Sequence, residues 1–226
     1  MARALAALVA AGVLIALPAA AQQAPPAPKT RFVVVIDAAH GGDDPGGRLA
    51  SGQMEKSATL AFSVRLRSLL AARGIAVVTT RESDATVDLN KRAEIANHAN
   101  ALACLSLHAS ESGVGVHLFA SSLAPARATR FIPWETAQAP WVTRSLTLAG
   151  VLNSALLQAG ASVTLDRTAL LAVDSMTCPA VAVEIAPERD SGGKVIAEPD
   201  DPAYQARIAS ALAAAVLEWR TEAHQP

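Results

Sequence analysis

A β-branched run, Val33-Val34-Val35-Ile36, continues through Asp37-Ala38-Ala39 and stops at His40 in a turn built from glycine, aspartate and proline. A run apolar on both faces is a strand covered on both sides, which a parallel sheet provides and a solvent-facing hairpin does not. Open α/β sheets host chemistry at the carboxyl ends of their strands. His40 stands at such an end and is a candidate metal ligand.

The same grammar runs down the chain. A helix is expected over 54–73, with Phe62, Leu66, Leu69 and Leu70 on one stripe and Gly74 closing it. Strands are expected over 75–79, 101–107, 114–119, 168–173 and 180–185, and helices over 87–99 and 141–159. A last helix opens with Asp201 as N-cap and Pro202 in its first turn, and carries Ile208, Leu212, Ala215, Val216 and Trp219 on one stripe. Residues 120–140 have no period and read as a loop, in which Trp134 and Trp141 either wall a groove or cover the core edge. Residues 187–201 read as polar loop. Strands alternating with helices define an α/β fold: three layers, a mostly parallel central sheet with helices on both faces. With 226 residues and no internal repeat, a single domain over 31–222 is expected.

Ahead of it, residues 1–21 read as a signal peptide. Arg3 supplies the positive start, Leu5 to Leu17 the apolar stretch, and Pro18-Ala19-Ala20-Ala21 the cleavage site. The stretch is shorter than the ~20 residues that a membrane span needs, and a retained anchor is the alternative. Residues 22–30, with three prolines, read as an extended linker. Export to the periplasm or the cell exterior follows. A formal net charge of −1 supplies no nucleic-acid footprint. Two cysteines are too few for a disulfide framework. Cys104 is expected as a small buried hydrophobe and Cys178 as a loop thiol, with a Cys104–Cys178 bridge as the less favoured alternative.

Four side chains share one placement. His40 and His108 follow strands, Glu184 ends Val181-Ala182-Val183-Glu184, and Glu55 falls in the first turn of the helix after the His40 loop. On adjacent parallel strands they would converge at one sheet edge. Two imidazoles and a carboxylate are a usual hydrolytic zinc set, and a second carboxylate serves to move the proton. Each has an ordinary reading too: a histidine bonding a carbonyl, or a glutamate favoured at a helix N-terminus. A carboxylate in an apolar strand must be paired, protonated or liganded. Asp37 either orients an imidazole or caps the turn. His98, His117 and His224 receive no role. A Cys104–His108 nucleophilic pair fails, because four residues of strand span about 13 Å.

At these residues the chain resembles the zinc-dependent N-acetylmuramoyl-L-alanine amidases of the amidase-3 type. Val35-Ile36-Asp37-Ala38-Ala39-His40-Gly41-Gly42-Asp43-Asp44-Pro45-Gly46 is similar to their opening motif, and Met54-Glu55-Lys56 to their helix start. Val78 to Asp84, Leu89 to Arg92 with Ala96-Asn97, Leu105 to Ser110, and Pro179 to Glu184 follow in order. The resemblance implies His40, Glu55 and His108 as Zn2+ ligands and Glu184 as catalytic base. It implies cleavage of the amide between N-acetylmuramic acid and L-alanine in peptidoglycan, in cell-wall remodelling or daughter-cell separation. Ser110 stands where the family commonly has asparagine, a position implied to touch substrate. Arg81 and Arg92 either bind a stem-peptide carboxylate or pair with Asp84 or Glu94. Ile185 to Arg189 departs from the family's pattern after the base. The loop over 120–140 is too short and proline-broken for the inhibitory helix of partner-activated members, and no regulator is legible. Two other readings are a wall-binding or regulatory protein on the same scaffold that has lost catalysis, and a zinc peptidase cutting within the stem peptide.

Overall fold

The computed structural model describes residues 32–129 and 131–222; the expected signal peptide (1–21) and linker (22–30) lie outside them. Strands β1 (Val33–Ala38), β2 (Ala76–Thr79), β3 (Ala103–Ala109), β4 (Val116–Ser121), β5 (Val163–Thr168) and β6 (Ala180–Ile185) form one sheet in the order β2-β1-β3-β6-β4-β5. Every neighbouring pair is parallel except β4 and β6, which run antiparallel. The mostly parallel α/β sheet read from the alternation is the one observed. Val34, Val35 and Ile36 are wholly buried on alternate faces, as a central strand requires.

The two faces are covered unequally. Helices α1 (Glu55–Ala71), α3 (Val142–Gln158) and α5 (Pro202–Glu222) set Phe62, Leu66, Leu148, Leu152, Ile208 and Leu212 in the larger core, against Ile36, Leu105 and Val183 of the sheet. The smaller core on the opposite face takes Ala93 and Ala96 from α2 (Leu89–His98) and Val173 from α4 (Leu171–Asp174). Thin cover on that face leaves the carboxyl ends of β1, β3 and β6 reachable. The Asp201 cap is present, its carboxylate accepting from the Ala203 and Tyr204 N–H groups at 2.8 Å. Among the described residues no helix is long and apolar enough to cross a membrane.

Three expectations are corrected. The strand expected over 168–173 is displaced to β5, Val163–Thr168, an edge strand whose side chains are largely exposed and so lack an apolar signature. The apolar residues after it form α4 instead, which buries Val173 and leaves Leu171 exposed. The polar stretch over 187–201 contains a small hairpin, β7 (Glu188–Arg189) with β8 (Val195–Ala197). Within 120–140, two turns of 3-10 helix, Trp134–Thr136 and Ala139–Trp141, flank a buried Gln138. Its amide donates to the carbonyls of Met176 and Cys178 at 2.8 and 3.0 Å and accepts from Ser145 Oγ at 2.7 Å. Trp134 is exposed, beside a cavity it shares with Leu89 and Leu171.

Cys104 and Cys178 form a disulfide, with Cα atoms 6.2 Å apart, so the less favoured of the two readings is the one observed. Cys104 pairs in register with Ala180, two residues after Cys178, so the bridge depends on β3 lying beside β6. Seventy-four residues of separation hide that adjacency in the sequence. Cross-linking so long a loop restricts the unfolded chain, which is worth roughly 2–4 kcal/mol. Replacing both cysteines by alanine is expected to lower unfolding stability by about that amount. An unchanged urea midpoint, with an unchanged m-value, would show that the bridge contributes nothing.

Candidate metal centre

His40 leaves the end of β1 with φ at +62°, a left-handed conformation that is uncommon outside glycine. The turn beyond it folds tightly back. Gly46, also left-handed at φ +65°, lies so near that a Cβ there would stand 2.7 Å from His40 Cδ2 and 2.8 Å from Glu55 Oε2. That close approach is why the loop is glycine-rich. It also brings the start of α1 beneath His40.

Glu55, buried at that helix start, stands between two imidazoles. Its Oε2 lies 3.1 Å from His40 Nε2 and its Oε1 3.1 Å from His108 Nδ1. The Gly47 and Ala109 N–H groups donate to the same carboxylate at 2.9 and 3.2 Å. The two rings meet edge to face with centroids 5.7 Å apart. One ligand atom from each of His40, Glu55 and His108 lies within 4.8 Å of the others, a set that could hold a metal ion. Two nitrogens and a carboxylate oxygen suit zinc, and three protein ligands leave a position open.

The electrostatics fit a site short of positive charge. Burial pushes the Glu55 carboxyl up, but hydrogen bonds from His108, His40 and the Gly47 N–H outweigh it and hold it well below the ordinary range. His40 is held above its ordinary value by the hydrogen bond to Glu55, against its partial burial, with Asp44 adding to the rise. Its Nδ1 faces Asp44 Oδ2 at 2.8 Å. With carboxylates at both ring nitrogens, the metal-free imidazole is best satisfied when doubly protonated. A cation would take the place of the Nε2 proton and leave Nδ1–H on Asp44.

Asp44 thus does what was considered for Asp37. Asp37 touches no imidazole: its carboxylate accepts from Arg92 at 2.6 Å, Thr80 Oγ1 at 2.7 Å and Ser106 Oγ at 2.8 Å, all buried. Arg92 donates onward to the carbonyls of Ala38 and His40 at 2.7 and 2.6 Å, fixing the strand end that carries the histidine. Arg81 is also buried. It donates to the carbonyls of Ala38, Ala39 and Lys56, tying β1 to the first turn of α1. Arg92 pairs with Asp37 rather than with Glu94, and it lines the cavity beside the centre. Asp84 pairs with Lys56. Ser110 follows β3 directly, and its hydroxyl lies 3.1 Å from that of Ser112.

Glu184 stands beside the trio by register. It pairs with His108 across β3 and β6, and with His117 across β6 and β4. His117, set aside in the sequence, holds it: Nδ1 lies 3.1 Å from Glu184 Oε1. No spacing in the chain signals this contact, because it requires β4 to turn antiparallel beside β6. Asp44 had a local signal, an aspartate four residues beyond His40 in a tight turn. A cavity of about 290 Å³ opens beside the centre, with His40, Asp44, Leu89 and His108 among its lining residues.

Fold and site together describe an α/β protein with a candidate metal centre at the carboxyl edge of its sheet. The amidase-3 family model, described as N-acetylmuramoyl-L-alanine amidase, matches residues 34–218, and the chain belongs to that family. Among curated relatives it is 38% identical over 82 residues to the sporulation-specific N-acetylmuramoyl-L-alanine amidase of Bacillus subtilis, covering 35% of this chain and 32% of that protein. It is 37% identical over 94 residues to the N-acetylmuramoyl-L-alanine amidase AmiA of Escherichia coli, covering 40% and 32%. The matched stretch is about a third of each relative's length. Solved structures share the fold. The amidase Ami1 of Mycobacterium smegmatis superposes with a TM-score of 0.68 at 20% identity, over 84% of this chain and 97% of that one. The catalytic domain of CwlV from Bacillus (Paenibacillus) polymyxa var. colistinus gives 0.64 at 22%, over 84% and 98%.

Proposed function

We propose that this protein hydrolyses the amide between the lactyl group of N-acetylmuramic acid and the L-alanine of the peptidoglycan stem peptide, with zinc held by His40, Glu55 and His108. The convergence of those three ligand atoms within 4.8 Å, in a chain of the amidase-3 family, carries the reading. Zinc, when bound, supplies Lewis-acid chemistry, polarising a carbonyl and making water a ready nucleophile near neutral pH. The chain's own residues do the rest. Glu184 takes the proton of the attacking water and passes it to the leaving amine nitrogen. Asp44 keeps the His40 proton on Nδ1, so that Nε2 presents its lone pair. Ser110, which directly follows β3, contacts substrate in this reading, as the family resemblance implies.

Removing the Asp44 partner leaves His40 free to rotate and to change tautomer. Asp44→Ala is therefore expected to weaken zinc binding about 10–100-fold, read by competition with a chromophoric chelator. Unchanged affinity would remove Asp44 from this role.

Export to the periplasm or cell exterior belongs to the same proposal. The signal-like start of the sequence supports it, and so does the Cys104–Cys178 disulfide, since such bonds persist in oxidising compartments. One digest tests the activity. Purified protein loaded with zinc is given intact peptidoglycan, and the soluble fragments are analysed. Stem peptides with a free N-terminal L-alanine are the expected product. New termini inside the stem would mean a peptidase, and binding without release would mean a scaffold that has lost catalysis.

A further inference from the structure

We propose that His117 is a positioning residue for Glu184, fixing which carboxylate oxygen carries the proton; this rests on the reading of Glu184 as base. The residues His108, Glu184 and His117 form one row across β3, β6 and β4, in register from strand to strand. Register partners project from the same face of a sheet with Cβ atoms about 5 Å apart. Glu184 is therefore flanked by a metal-ligand candidate on one side and by His117 on the other.

The tautomer of His117 follows from its partners. The Val114 N–H donates to Nε2 at 3.4 Å, so Nε2 is an acceptor and the ring proton sits on Nδ1. Nδ1–H then donates to Glu184 Oε1 at 3.1 Å. That bond occupies Oε1 and leaves the proton work to Oε2. The ring is itself held. Phe119 meets it edge to face at 6.2 Å between centroids. Gly113, at φ +92°, passes so close that a Cβ there would stand 2.4 Å from the ring's Cε1. A ring confined on these sides orients a carboxylate that would otherwise rotate about its own side-chain torsions, which is the kind of support that keeps a reacting group within a fraction of an ångström.

Two substitutions separate positioning from packing. His117→Phe keeps a ring in the space and deletes the donor; His117→Asn keeps a donor near the Nδ1 position. With zinc content and thermal midpoint as controls, His117→Phe is expected to lower kcat about 10–100-fold and leave KM within about twofold, while His117→Asn recovers most of the loss. In a Glu184→Gln background, His117→Phe is expected to cost nothing more, since there is no proton carrier left to aim. Normal kcat in His117→Phe overturns the proposal, as does an equal loss in the Glu184→Gln background. Near-normal turnover by Glu184→Gln alone overturns the base reading, and this one with it. Independently of turnover, imidazole ¹⁵N spectra of the wild-type protein are expected to show His117 protonated on Nδ1; the Nε2–H tautomer overturns the assignment.

Discussion

Glu184→Gln is expected to bind zinc as the wild type does and to lose about 10²–10⁴-fold in kcat on peptidoglycan. The substitution is nearly isosteric and keeps Oε1 as an acceptor for the His117 Nδ1–H, so the row across β3, β6 and β4 stays intact. None of the three candidate ligands is altered. What disappears is basicity: an amide cannot take a proton from water and return it to an amine. Zinc content by elemental analysis and initial rates of fragment release check the two halves separately. A variant that turns over near the wild-type rate would show that Glu184 is not the proton carrier.

His40→Ala is expected to abolish stoichiometric zinc binding at micromolar metal, with activity lost alongside. Loss of partners outside a metal's ligand set commonly weakens binding 10–100-fold, so loss of a ligand itself should exceed ~100-fold. The reason is local. Glu55 would keep His108 as a neighbour but lose the His40 side of its cradle, and Asp44 would face open space. The buried carboxylate then has less to hold it ionised than the wild type provides. Calorimetric titration of the apoprotein with zinc reads the effect, and wild-type affinity in the variant would remove His40 from the ligand set. Native unfolding monitored alongside distinguishes a lost ligand from a lost fold.

How far the sequence could be read differs from residue to residue. The stripes of α1 and α5, the Asp201 cap and the apolar runs of β1, β3 and β6 are local patterns, and the structure follows them. β5 escaped because an exposed edge strand has no apolar alternation to detect, and the nearby apolar residues belong to α4. His40, Glu55 and His108 were legible because each sits at the end of an element, where an α/β sheet collects functional groups. Asp37 takes neither of the two places considered for it, orienting an imidazole or capping the turn. It stands three residues before His40, but strand alternation turns it toward Arg92, Thr80 and Ser106 on neighbouring elements. Arg81, like Arg92, was drawn inward to backbone carbonyls that no side-chain pattern advertises.

Local patterns in the chain specify the α/β class, most of its elements and the residues at the strand ends, because apolar periodicity and turn chemistry act within a few residues. Strand order is decided only in the folded sheet. Placing β6 between β3 and antiparallel β4 is what sets Glu184 between His108 and His117 and closes the Cys104–Cys178 bridge. Those contacts join residues distant in the chain, the bridged cysteines being 74 positions apart, through backbone pairing across neighbouring strands, and a linear pattern holds no record of which strands become neighbours.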